Sequence, residues 1–205
     1  EVNRVIPVLK EIKYNFKELI ISIDTFRSIV AERTLDLGAD IINDISAGNL
    51  DDNMLKIISD FKCPYIMMHM QGNPETMQKN PNYKDVLLDV YDFFENKIKY
   101  IRSQGIKHNK IIIDPGIGFG KNLKHNMNLI SNISIFHSLG FPVLLGLSRK
   151  KFIKELSGKN DTKGRLGGTV SSSIFAVMQG VHILRTHDVK ELIQSIKVFK
   201  NLIKI

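Results

Sequence analysis

Short runs of apolar, mostly β-branched residues alternate along the whole chain with longer stretches in which apolar residues return every three or four positions. The first pattern predicts strands and the second amphipathic helices. Strands are expected over residues 19–24, 40–43, 64–70, 110–114, 142–148 and 181–187. Helices are expected over residues 25–37, 51–61, 83–104, 123–139, 150–156, 166–179 and 188–205. An opening helix is expected as well, with Val2, Val5, Ile6, Leu9 and Ile12 on one side. Gly38, Gly105, Gly140 and Gly180 stand where helices should stop before strands, because a left-handed residue commonly ends a helix.

This is the pattern of repeated βα units, and strands apolar along nearly their whole length fit a parallel sheet covered on both faces by helices. Six strands are compatible with an open doubly wound sheet, whereas a closed βα barrel needs eight. The polar residues favour the barrel. Asp24, Asn43, His69, Asp114, Ser148 and His187 end successive strands, and a barrel gathers its ligand groups from all its strands at one face, while an open sheet collects them at one switch point. The fold class expected is α/β, a (β/α)8 TIM barrel in one domain over residues 1–205. Six of the eight strands lie in this chain, and the first two βα units are expected to precede Glu1.

Composition narrows the function classes. The 205 residues are 43% hydrophobic, enough for one sizeable core. No uninterrupted apolar run of about 18 residues occurs, which argues against a membrane span. No signal peptide is visible and the single cysteine, Cys63, has no intramolecular disulfide partner, so a cytoplasmic protein is expected. Cys63 reads as a small residue at a strand entrance. The formal charge of +8 comes from lysines scattered along helices. That favours solvated helix faces over a nucleic-acid partner, with a modest preference for small anionic ligands.

The most informative string is Asp114-Pro-Gly-Ile-Gly-Phe-Gly-Lys121, which follows the apolar run Ile111-Ile-Ile113. It ends a buried strand in a carboxylate and continues into alternating glycines, whose backbone can approach a flat or anionic ligand closely. Its spacing differs from the dinucleotide fingerprint, and no Lys-Ser or Lys-Thr pair follows as in a phosphate-cradling P-loop. A plain strand-to-helix turn with a capping Asp is the structural alternative.

Six ordered motifs carry a family resemblance: Ile23-Asp-Thr25, Ala39-Asp-Ile-Ile-Asn-Asp44, Met68-His-Met-Gln-Gly72, Asp114 to Lys121, Ser148-Arg-Lys150 and Arg185-Thr-His-Asp188. Together they resemble the dihydropteroate synthases over essentially the whole chain. The resemblance implies a transferase of folate biosynthesis. It would join 6-hydroxymethyl-7,8-dihydropterin diphosphate to para-aminobenzoate, release pyrophosphate, and be a sulfonamide target.

A pterin's pyrimidine edge offers an amino group, a ring N–H and a carbonyl, and Asp114 and Asn43 suit it: a carboxylate accepts two parallel N–H bonds and an amide both gives and accepts. The resemblance puts Asp24 at the reduced ring, although Asp24 also reads as a cap for the helix that follows. It further implies Met68 and Gly146 as pterin-pocket residues, and Lys150 as a donor to the pterin carbonyl beside the aminobenzoate. Lys151 is expected to be solvated. Phe119 and Ser148 would stand on the aminobenzoate side. Arg185 and His187 are the expected diphosphate ligands: two apart on a strand, they share a side, and both can donate to phosphate oxygens, with Thr186 facing away. The catalytic set is thus Asp24, Lys150, Arg185 and His187. His69 is expected to be structural.

Magnesium is implied by the resemblance, with its ligand expected in the part preceding Glu1 and no metal ligand in this chain. Residues 71–82 form a loop long enough to overhang a site, and residues 157–168, with four glycines, a loop expected to be mobile. Small residues Ser171 to Ser173 near Thr169 permit close helix packing, and the resemblance implies a homodimer. Small-molecule substrates are the expected partners, with no nucleic acid and no membrane. The chain alone is expected to be inactive. Two alternatives are a truncated pterin-binding module without catalysis and a pterin-binding methyltransferase, against which the Arg185-x-His187 pair argues.

Overall fold

The computed structural model describes residues 1–204 of the 205. All six expected strands form, five of them shorter than the run that announces them and the second, Ile41–Asp44, shifted by one residue at equal length, and all observed pairings are parallel. The chain divides into two compact units, one of residues 1–70 and 92–114, the other of residues 71–91 and those from Pro115 onward.

In the first unit, α1 (Val2–Asn15) leads to β1 (Ser22–Asp24), α2 (Ser28–Asp36), β2 (Ile41–Asp44), α3 (Met54–Phe61) and β3 (Tyr65–Met68). The later part of α4 (Val86–Ser103) and β4 (Ile111–Asp114) complete it. The strands pair in chain order, β1-β2-β3-β4. Residues paired across a parallel ladder share a face, and so do residues two apart. The register therefore sets Ile42, Tyr65, Met67, Ile111 and Ile113 on one face. All five are almost fully buried, as are Val30, Ala31, Met54, Ile58, Phe94 and Ile101 of the helices. The opposite face carries Asp24, Asn43, Met68 and Asp114. In α1 the expected stripe is the less exposed side, centred on buried Leu9.

The second unit contains α5 (Leu123–Ser131), β5 (Leu144–Gly146), α6 (Lys151–Ser157), α7 (Leu166–Met178), β6 (Ile183–Arg185) and α8 (Val189–Leu202). β5 and β6 pair alone among the described residues, with Gly146 opposite Arg185. The core holds Ile117, Leu129, Ile133, Phe136, Val143, Leu145 and Ala176, each fully buried.

Two helix expectations need correction. The helix expected over residues 123–139 breaks at Asn132, whose side chain bonds back to the Asn128 carbonyl at 2.9 Å and so competes with the backbone ladder. Ile133–Leu139 continues as a 3-10 segment, in which Ile133 and Phe136, three apart, are both buried. The helix expected to begin at Thr25 starts three residues later, because the Thr25 hydroxyl accepts from the Arg27 amide in a local turn. The helix expected over residues 188–205 runs over Val189–Leu202; residue 205 lies outside the described residues. Gly38, Gly105, Gly140 and Gly180 all take left-handed φ at helix ends. At Gly105 a Cβ would come within 2.8 Å of the Ser59 hydroxyl, so close packing as well as φ requires glycine there.

Candidate functional site

In the first unit, Asp24 and Asn43 are register partners at the ends of β1 and β2. The Asn43 amide nitrogen donates to Asp24 Oδ1 at 2.8 Å. Its other atom, Oδ1, is buried and has no hydrogen-bond partner. Most buried acceptors in folded proteins are satisfied, so an orphan at a strand end is a place where a ligand donor fits. Met68 and Asp114 are register partners on the same face, and both are buried.

The capping alternatives for the two aspartates fail. The first amide of α2, that of Ser28, donates to Asp51 at 2.7 Å and not to Asp24. α5 is capped by Asn122, which accepts from the His125 amide, eight residues beyond Asp114. His69 is buried, with its ring edge-on to Phe93 at 4.8 Å and its amide donating to the Asp114 carbonyl. The ring thus packs against α4, and the backbone extends the pairing of β3 with β4 by one bond.

Asp44, for which no role is expected from the sequence, organises the turn after β2. It is fully buried and accepts from the Ser46 amide and hydroxyl, the Gly48 amide and the Tyr65 hydroxyl, each at 2.7 Å. Burial, and then the charge of Asp44, push the Tyr65 phenol well above its ordinary range. Cys63 is buried beside the entrance of β3 as expected, and burial pushes its thiol up to about 11.

The second unit assembles the remaining candidates. The Lys150 ammonium donates to the Ile117 carbonyl and lies 5.0 Å from the centre of the Phe119 ring. A Cβ on Gly146 would meet the Arg185 Cβ and the Lys150 Nζ at 3.8 Å each, so Gly146, Lys150, Phe119 and Arg185 form one cluster. Lys151 is 81% exposed and pairs with Glu155 along its own helix, as expected of a solvated lysine. Buried Ser148 accepts from the His187 amide at 3.2 Å, and its oxygen is 2.9 Å from His187 Nδ1. Thr186 instead accepts from the Asp188 amide.

The glycine string is wrapped around a cation. Lys121 is 3% exposed, and its ammonium donates to the Gly116 and Phe119 carbonyls at 3.1 and 2.9 Å. An internal donor at the end of the string gathers its carbonyls and turns Gly118 and Phe119 toward Lys150. The string has further partners in Asn126, which accepts from the Gly118 amide, and in Gln78, which donates to the Gly118 carbonyl. Tyr83 donates to the Gly120 carbonyl. The loop over residues 71–82 is closed on itself by Gln71, which exchanges two bonds with the Asn82 backbone. Sequence reasoning missed Lys121; only its position closing the glycine string hinted at it.

Arg149, between Ser148 and Lys150, has a left-handed φ of 59° and a two-pronged ion pair with Asp188. The hydrogen bond from Arg149 holds the Asp188 carboxyl below the usual carboxylate range. The loop expected to be mobile is tied at Arg165, whose guanidinium donates to the carbonyls of Lys159, Asn160 and Arg149.

The oxygen ligands Asp24, Asn43 and Asp114 all belong to the first unit, while Arg185, His187 and Lys150 present nitrogen donors. Among the described residues no three His, Cys, Asp or Glu side chains group as metal ligands. The nitrogen donors beside Arg185 do not fit a magnesium ion, which takes oxygen ligands.

The sequence pattern of the family described as "Pterin binding enzyme" matches residues 1–187. The chain is 41% identical over 198 residues to the dihydropteroate synthase of Escherichia coli K12, covering 97% of this chain and 69% of that protein. It is similar to the crystal structure of the Yersinia pestis dihydropteroate synthase in complex with a sulfonamide drug, with a TM-score of 0.94 at 35% identity, covering 99% of this chain and 73% of that one. The Xanthomonas albilineans dihydropteroate synthase in complex with 7,8-dihydropteroate matches with a TM-score of 0.93 at 33% identity, covering all of this chain and 74% of that one.

Proposed function

The chain belongs to the pterin-binding enzyme family, and on that premise we propose that it is a transferase of folate biosynthesis that makes 7,8-dihydropteroate from a dihydropterin diphosphate and para-aminobenzoate. The fold class of its relatives, a βα barrel, accounts for six parallel strands that end in ligand groups. One observation carries the site: Asp24, Asn43, Met68 and Asp114 project from one sheet face, and Asn43 Oδ1 is a buried acceptor without a partner. A pterin edge supplies an N–H donor for Asn43 Oδ1, and a carboxylate such as that of Asp114 suits two parallel donors.

The reaction is a dissociative substitution. The bond from the pterin methylene carbon to the diphosphate oxygen breaks, and its electron pair leaves with pyrophosphate. The electron-rich dihydropterin delocalises the cation left behind. The aromatic amine nitrogen then forms the new C–N bond and releases one proton to solvent. Arg185 and His187 stabilise the negative charge that grows on the leaving group, the largest electrostatic demand of the step. Asp24 and Asp114 favour positive charge on the pterin. Lys150, between the Phe119 ring and Gly146, donates to the pterin carbonyl, while Ser148 and Phe119 receive the aminobenzoate. Magnesium enters this reading as a companion of the substrate's diphosphate.

The wider assignment is a cytoplasmic homodimer inhibited by sulfonamides. Exposed Phe175 and Met178 on α7 support a helix-mediated contact, and no described helix is long and apolar enough to cross a membrane. The pair Arg185 and His187 favours diphosphate chemistry over methyl transfer.

The test is Arg185→Ala. Binding of the pterin diphosphate should weaken far more than binding of the bare pterin, and pyrophosphate release should fall with it. Equal losses for the two ligands would remove Arg185 from the diphosphate site.

A further inference from the structure

Resting on the reaction proposed above, we propose that Arg149 is a positioning residue, whose clamp on Asp188 holds the segment bearing Ser148 and Lys150 in one fixed geometry with the segment bearing Arg185 and His187.

Arg149 takes a left-handed backbone conformation that residues with a side chain rarely adopt, and such conformations persist only where surrounding contacts over-determine them. Here they do. The Arg149 amide donates to the hydroxyl of fully buried Thr169 at 3.0 Å, and its carbonyl accepts from Arg165 at 2.7 Å. The consequence of this turn is local. It separates the directions of Ser148 and Lys150, so that the Ser148 hydroxyl meets His187 while the Lys150 ammonium meets the Ile117 carbonyl and the Phe119 ring.

The side chain then ties the ends of β5 and β6. Arg149 Nε donates to Asp188 Oδ2 at 3.0 Å, and a terminal nitrogen donates to Oδ1. Two consecutive bridges thus join the same two segments, Ser148 to His187 and Arg149 to Asp188. A fork-to-fork pair fixes direction as well as distance, which a single lysine contact does not. The pair has side-chain exposures of 29% and 13%. Ion pairs of that exposure contribute little to folding, so the geometry they impose is the better account of this one. With its fork occupied by a carboxylate, Arg149 is no anion ligand itself. It leaves the positive charge of the cluster on Lys150 and Arg185.

The experiment compares the full chain with Arg149→Ala, Arg149→Lys and Asp188→Asn. It reads inorganic pyrophosphate affinity by calorimetry, kcat and KM for both substrates, and the thermal midpoint. Arg149→Ala and Asp188→Asn should each weaken pyrophosphate binding about tenfold and lower kcat about tenfold or more, with Arg149→Lys between them and the wild type. The double variant should be no worse than either single one, because both remove the same clamp. Pyrophosphate affinity and kcat within about twofold of wild type in Arg149→Ala or, should that variant not fold, in Asp188→Asn would overturn the proposal, whatever the thermal midpoint does. Loss of the fold in both would assign the pair to stability and overturn it too. A wild-type chain that binds pyrophosphate but forms no dihydropteroate would end the catalytic reading alone, and the pyrophosphate comparison would still judge the clamp. A wild-type chain that binds no pyrophosphate would overturn the clamp.

Discussion

Asn43 and Asp24 share a single hydrogen bond across neighbouring strands, and its direction fixes the chemistry that Asn43 offers: with the amide nitrogen spent on Asp24 Oδ1 at 2.8 Å, the carbonyl oxygen is left as a buried acceptor without a partner. A buried acceptor left unsatisfied costs about 1–3 kcal/mol, and a ligand N–H placed against it removes that penalty.

Binding should therefore depend on Asn43 far more than stability does. Asn43→Ala should weaken pterin binding by about 1–3 kcal/mol while changing the unfolding free energy of the ligand-free chain by less than about 1 kcal/mol. Fluorescence titration with a bare pterin and urea unfolding measure the two. A variant that binds pterin as well as the wild type does would leave the acceptor without a function.

Lys121 supports the glycine string from inside. Lys121→Met keeps most of the buried aliphatic stem but strips the donor from the Gly116 and Phe119 carbonyls. A destabilisation of about 1–3 kcal/mol in urea is expected, together with faster proteolysis between residues 115 and 121. An unchanged unfolding midpoint would mean that the string holds its shape without the ammonium.

The Arg149–Asp188 pair adds only a small share of stability, and that share has an acid limb. Its hydrogen bond lowers the Asp188 carboxyl in the folded chain below the unfolded value. The contribution is full above the unfolded pKa of about 3.9, and is lost as pH falls through the lower folded value. Asp188→Asn should flatten the decline of stability below about pH 4 and change little in its slope near neutrality. Urea unfolding across that range decides; identical acid limbs in variant and wild type would sever the link.

Cys63 should be inert in the native chain. With its thiol pushed up to about 11 by burial, only a very small thiolate fraction exists at neutral pH. Alkylation by iodoacetamide at pH 7.5 should proceed at least about tenfold more slowly than in urea. Equal rates in the two conditions would mean that the side chain is open to solvent.

Much of the fold was legible because hydrophobic periodicity and helix-stop glycines are local signals. All six strands and the stripe of α1 follow from the spacing and type of apolar residues, whereas the choice of Lys151 as the solvated lysine came from the family resemblance. The failures were local competitions: Asn132 turns its side chain onto the backbone and breaks a helix, and Thr25 does the same at a helix start. The strand-end residues were legible as types of group, since Asp, Asn, His and Arg closing apolar runs are conspicuous.

By itself, then, the sequence determined the order of βα units, the family, and which polar groups end the strands, because these depend on residue type and spacing. Only the tertiary structure decided what each polar group faces. Whether Asp24 caps a helix or holds an amide, whether Lys121 is solvated or buried beneath glycines, and whether Arg149 binds a ligand or clamps Asp188 all depend on neighbours 19, five and 39 residues away. Such contacts are set by strand register and loop closure, and no local pattern encodes them.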